Sequence, residues 1–207
     1  EVLPYGQKDL RYVRMTVEVP GAWDVIAAGR LLGKNAVQDS MLFTWEIDTK
    51  IPMIGWILAG KYQRHQSNDG NTIVYLFDED SSFAGKLLSL ADSAVRYYSE
   101  HFRPYRFPNL KIVEVDDWVA GRNVLAIAEP TSIMVKKLTL TTDDKFNKVE
   151  AILPHEVAHQ WWPMTVFIKD EDAALLSEGM CEYSALLFNE HRGSLTVRDS
   201  LQHHPLL

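Results

Sequence analysis

The stretch Ala151-Ile-Leu-Pro-His-Glu-Val-Ala-His-Gln-Trp-Trp162 holds two histidines four residues apart, with a carboxylate directly after the first. On a helix, positions i and i+4 lie one turn apart on the same face, so the imidazoles of His155 and His159 can reach one metal ion. Imidazole nitrogen is a good ligand for zinc, which usually takes four ligands. Glu156 leaves the same helix beside the first histidine, where a carboxylate can take a proton from metal-bound water. His-Glu-x-x-His is a zinc-site signature, but short motifs recur by chance, so the flanking sequence has to supply the rest of the site.

A catalytic zinc site usually has three protein ligands and a water, so a third ligand is expected downstream. Leu176-Ser-Glu178-Gly-Met-Cys-Glu-Tyr183 supplies it, with eighteen residues separating His159 from Glu178. That interval lets the first helix end, a loop turn back, and a second helix present Glu178 to the metal. Two His and one Glu form the ligand set of thermolysin-type enzymes. The plain alternative, a surface helix carrying two histidines and a glutamate, leaves the placement of Glu178 unexplained.

His155-Glu-x-x-His159 followed at that spacing by Glu178 resembles the gluzincin metallopeptidases, specifically the aminopeptidase N and leukotriene-hydrolysing aminopeptidase family. The flanks agree: His-Glu-Val-Ala-His-Gln-Trp is similar to the family's His-Glu-Leu-Ala-His-Gln-Trp, and Leu-Ser-Glu-Gly-x-x-x-Tyr to its Leu-Asn-Glu-Gly-x-x-x-Tyr. The likeness is strong from about Ser81 onward and weak before it. It implies one bound Zn2+, peptide substrates, and removal of N-terminal amino acids. It also implies a fold of the α+β class: residues 1–77 as the C-terminal part of an antiparallel β domain, and residues 78–207 as the first part of a thermolysin-like catalytic domain. In the family a tyrosine far downstream of the third ligand stabilises the oxyanion, and a further acidic residue of the β domain helps bind the amine. Neither is expected within this chain.

Composition bounds the reading from outside. The 207 residues carry 46% hydrophobic side chains, enough for a substantial core. A net charge of −7 and a pI near 5.5 argue against nucleic acid and anionic membrane as partners. A lone cysteine, Cys181, excludes an intrachain disulfide framework, and its expected role is packing. No apolar run approaches the roughly 18 residues needed to span a bilayer. The chain starts at Glu1 without a signal-like segment, which leaves compartment and oligomeric state open.

In chain order, the first third reads as β. Arg11 to Val19, Met41 to Ile47, Gly55 to Gln63 and Thr72 to Phe77 are expected strands, with turns at Pro20-Gly21 and Ser67-Asn-Asp-Gly70. From Asp78, acidic and serine caps precede a helix whose Phe83, Leu87, Leu90, Ala94, Tyr98 and Phe102 form one apolar face, ending before Pro104. His101 is expected as a helix-end residue, not a ligand. Leu110 to Val115 reads as a strand. Ser132 to Lys136 reads as an edge strand beside which a peptide can lie.

The family's Gly-x-Met-Glu-Asn motif, whose Glu binds the substrate's α-amino group, aligns here with Ala126-Ile-Ala-Glu129-Pro130. Only Glu129 matches fully. A carboxylate there suits an ammonium ion, but Ala126 and Pro130 depart from the pattern, and two readings stay open: amine anchor or strand-end carboxylate. Thr141-Thr-Asp-Asp144 is expected to cap a zinc helix over 145–160 that bends at Pro154 and ends before Pro163. Asp170-Glu-Asp172 is expected to precede the second helix, which Gly193 closes. Glu182, one turn past Glu178, is either a partner to a ligand histidine or a solvent-facing acid, and Tyr183 is expected to pack. A non-catalytic gluzincin-like module that binds peptide or a partner is the competing function. The degraded Ala126–Pro130 motif favours it, and the intact Glu156 argues against it.

Overall fold

The computed structural model describes residues 12–116, 124–137, 143–166 and 174–194, with side chains described from 148 in the third segment and from 176 in the fourth. The chain is a mixed α+β structure. Among the described residues, ten strands stand in three sheets, joined to three α-helices.

Strand β1 (Val13–Pro20) alternates outward and inward side chains, as its period-2 sequence requires. It pairs antiparallel with β4 (Ser40–Ile47), which pairs on its other side with β3 (Arg30–Val37). Val19, Phe43 and Trp45 of this sheet bury against Val25 and Ala27. β2 (Asp24–Ile26) and β5 (Leu58–Gly60) form a small ribbon. Neither β2 nor β3 was legible from periodicity. β2 has three residues, and β3 is an edge strand with mostly exposed side chains, held by backbone pairing and bulged between Leu31 and Gly33.

The strand expected over Gly55–Gln63 is divided. β5 pairs with β2, while β6 (Gln63–Gln66) crosses into a second sheet beside β7 (Thr72–Leu76). Tyr62 marks the crossing, stacked on Phe77 at 5.3 Å. The Ser67–Gly70 turn forms as expected, with Gly70 at φ 75 and its N–H donated to the Ser67 carbonyl.

The second sheet has the order β6-β7-β8-β10-β9, with β8 at Leu110–Val115, β9 at Ala126–Glu129 and β10 at Ser132–Lys136. β7 and β8 are parallel, so a crossover must join them, and α1 (Ala84–His101) lies in it. The expected division at 77/78 is crossed by this sheet, because β6 and β7 pair with the strands that follow. One placement is corrected. β10 is not an edge: it is parallel to β8 and antiparallel to β9. The reversal at Pro130-Thr131, with Thr131 at φ 68, folds β9 back along β10, so Ala126–Glu129 takes the edge.

α1 buries Leu87, Leu90, Ala91, Ala94 and Tyr98. They meet Val74, Leu110, Ile112 and Ile133 of the sheet, and Val149, Leu153 and Val157 of α2 (Asp143–Ala158), in the main core. The acidic caps expected ahead of α1 make no side-chain cap bond. A 3-10 turn over Asp78–Phe83 leads into the helix instead, and Asp80 is buried. The expected caps at Thr141-Thr142 and Asp170–Asp172 lie outside the described residues, as do the side chains of Asp143 and Asp144. α3 (Ala174–His191) ends as expected: Gly193 sits at φ 73, its N–H bonds the Glu190 carbonyl, and the Ser194 N–H bonds that of Asn189.

Candidate metal centre

α2 runs through Pro154 and buries Val149, Leu153, Val157 and Ala158 in the core, which turns His155 and His159 toward α3. The Pro154 carbonyl accepts the Tyr98 hydroxyl at 3.1 Å, fixing this helix against α1. α3 buries Ser177, Cys181, Ser184 and Phe188 at helical steps, and its neighbouring stripe places Glu178 and Glu182 one turn apart beside His155.

His155 Nε2 lies 3.1 Å from Glu178 Oε2, and His159 Nε2 lies 3.5 Å from Glu178 Oε1. Donor atoms of His155, His159 and Glu178 all fall within 4.8 Å of one another, and this is the one group of three or more such residues among those described that could hold a metal ion. The outer nitrogens are engaged too. His155 Nδ1–H donates to Glu182 Oε2 at 3.1 Å, and His159 Nδ1–H donates to the Trp162 carbonyl at 2.8 Å. Carboxylate and carbonyl oxygens only accept, so Nδ1 of each ring carries a proton, and Nε2 of each faces Glu178. Nε2 protons can meet the carboxylate there, and with Nε2 deprotonated a cation between the two imidazoles and Glu178 takes their place. The donor set therefore fits a divalent ion such as zinc.

Burial by itself lowers the His155 pKa, but the carboxylates of Glu182, Glu156 and Glu178 outweigh it and leave the group raised. His159 is lowered, chiefly by burial. Glu156 is 6% exposed, and burial pushes its carboxyl up to about 7. The Ala128 backbone amide on β9 acts against that shift, so Glu156 sits between the metal helix and the edge strand. Cys181 is buried as expected, with Sγ 3.2 Å from His159 Nδ1 and from the Trp162 carbonyl, and burial raises its thiol pKa. Trp161 packs, donating its indole N–H to the Arg103 carbonyl at 2.8 Å. Tyr183 does not pack: it is 52% exposed, since it projects from the outer side of α3. His101 closes α1, with Nδ1 at 2.8 Å from the Tyr97 carbonyl.

Glu129 ends the edge strand. It is 6% exposed, its Oε2 is buried without a hydrogen-bond partner, and burial pushes its carboxyl up to about 7. Gly55, from the segment before β5, presses against it so closely that a Cβ there would stand 2.8 Å from Glu129 Oε2. Sequence reasoning assigned no role to Gln160, the residue after His159. It is fully buried, accepts the Thr131 N–H at 3.0 Å on Oε1, and donates Nε2 to the Glu129 carbonyl at 2.9 Å. The signal available was a polar residue three positions past the core residue Val157, just beyond the end of α2.

Residues 87–204 match the Peptidase family M1 domain. Two curated relatives, both named "Probable aminopeptidase 1", come from Sulfurisphaera tokodaii and Saccharolobus solfataricus. The first is 26% identical over 138 residues, covering 58% of this chain and 17% of the relative. The second is 24% identical over 110 residues, covering 50% of this chain and 14% of the relative. The matched stretch is thus a small part of either relative's length. A match over more than half of the chain, coinciding with the helices that bring His155, His159 and Glu178 together, places the chain in peptidase family M1.

Proposed function

We propose that the protein hydrolyses peptide bonds with one bound zinc ion and removes amino acids from peptide N-termini. The convergence of His155, His159 and Glu178 donor atoms carries the reading, because both histidine Nδ1 atoms are engaged and the remaining donors lie within reach of a single ion. When bound, zinc supplies Lewis acidity to the scissile carbonyl and to water.

Glu156 is the general base. Its carboxyl, poised at about 7, takes the proton of the attacking water and returns it to the leaving amine. Glu129 is the amine anchor. An orphaned buried carboxylate oxygen at a strand edge is an unfilled acceptor, and a substrate ammonium would both pair with it and lower its pKa. β9 is the edge strand of its sheet among the described residues, where an extended peptide can add alongside. On this reading the β1–β5 region is the end of a β domain and the metal helices open a thermolysin-like domain. The division belongs between β5 and β6, since β6 and β7 share a sheet with β8.

The test uses the full-length protein and aminoacyl arylamides. His159→Ala should lose bound zinc and activity together. Glu156→Gln should keep the zinc and lower kcat by on the order of 10²–10⁴. Activity that survives Glu156→Gln would overturn the general-base role, whereas wild-type protein without chelator-sensitive activity would return the protein to the binding-module reading.

A further inference from the structure

β8 carries a buried cation that the proposed chemistry does not use. Lys111 is 0% exposed, and its Nζ donates to the Gly29 carbonyl at 2.9 Å, Asn109 Oδ1 at 3.0 Å and Thr131 Oγ1 at 3.1 Å. The Trp45 ring lies 5.3 Å away. Three acceptors match the three N–H groups of an ammonium, and the ring face adds cation–π attraction. Burial pushes the group down to about 7, and the three acceptors and the ring face favour its charged form against that burial.

The partners come from regions far apart in sequence. Gly29, between β2 and β3, is fixed by its surroundings: at φ 86 it lies so close to β4 that a Cβ would stand 2.1 Å from the Glu46 carbonyl oxygen. Its N–H donates to Thr131 Oγ1 at 2.9 Å. Thr131 forms the β9–β10 turn at φ 68, a conformation that a β-branched residue keeps only where its surroundings impose it. The Thr131 N–H goes to Gln160, and Gln160 in turn holds the Glu129 carbonyl. A polar path therefore runs from the N-terminal sheet through Lys111 and Thr131 to both Glu129 and the metal helix.

We infer that Lys111 is a positioning residue: it fastens the β9–β10 turn to the N-terminal β region and so sets where the Glu129 carboxylate meets the amino group of a peptide. The inference rests on the amine-anchor reading of Glu129. Loss of stability alone cannot identify such a role, because removing any buried donor strands its acceptors and destabilises the fold whether or not it positions Glu129. The distinguishing readout is the split between KM and kcat.

In the full-length protein, Lys111→Met keeps the side-chain length and removes the donors. KM for arylamides with a free amine should rise about tenfold or more, with kcat changed less than about threefold and zinc content unaltered. Thr131→Val should reproduce the effect, Thr131→Ser should restore KM, and the double variant Lys111→Met/Thr131→Val should raise KM no further than the larger single change. Should Lys111→Met fail to fold, the Val and Ser pair decides. Equal KM in those two, or a lower Tm with unchanged KM, overturns the inference. A second arm is independent of catalysis: amide exchange at Thr131 should quicken at least about tenfold in Lys111→Met, and unchanged protection there overturns the fastening. Wild-type protein without chelator-sensitive amine release would remove the functional reading instead, and the exchange arm would still decide the role of Lys111.

Discussion

The metal centre and the Glu129 turn lie on either side of Gln160, and they are built differently. The metal centre is two helices long: two of its donors are four residues apart, the third comes from the next helix, and the partner of His155 Nδ1 is one turn beyond that. The Glu129 turn is assembled from residues 29, 55, 109, 111, 131 and 160, which come from five separate parts of the chain. Helix periodicity writes the first into the sequence. The second exists only once two sheets and a helix have packed. On the proposed function, the donors for a metal are thus encoded locally, and the place for a substrate amine is set by tertiary contact.

Gln160 joins the two regions, so its loss should have the largest effect on stability. Gln160→Leu would leave the buried Thr131 N–H and Glu129 carbonyl without partners, and it should cost about 2–4 kcal/mol by denaturant unfolding. An unchanged midpoint would mean that the two regions are not joined through this side chain. Glu182→Gln probes the metal side alone. It keeps an acceptor but removes the charge behind His155, and zinc affinity by competition with a chelator should fall about 10–100-fold while KM for free-amine substrates at saturating zinc stays near wild type. A KM rise there would blur the separation between the two regions.

The smallest expected effect lies in the scaffold beneath both. Glu114 on β8 and Asp80 are buried side by side. Glu114 Oε2 accepts the Phe77 N–H, whereas Glu114 Oε1 and Asp80 Oδ2 have no partner unless one carboxyl is protonated. Burial and the neighbouring Asp80 push Glu114 up to about 8, despite the opposing charge of Lys137. A folded-state pKa above the unfolded value near 4.5 gives stability that is complete below that value and lost as pH rises through about 8. The unfolding midpoint of metal-free protein should therefore drop between pH 6 and pH 9, and Glu114→Gln should shrink that drop. An equal drop in the variant would show that the pair does not share a proton. Glu129 and Glu156 are also raised by burial and add to the wild-type drop with the same sign.

The sequence by itself determined which three residues converge as candidate metal ligands, the two helices that bear them, the apolar face of α1 and the glycine that closes α3. Each depends on spacings within a few turns of helix, where i to i+4 geometry leaves little freedom. It mistook β10 for an edge, merged β5 with β6, and assigned no role to Gln160, Lys111 or Gly29. Strand order is a choice among long-range pairings that alternation cannot rank, so only the packed structure could give the edge to β9. Likewise, a buried lysine or glutamine looks like any surface polar residue until its partners arrive from elsewhere in the chain. Tertiary structure decided those positions because the cost of burying a polar group is met only by acceptors and donors that local sequence does not contain.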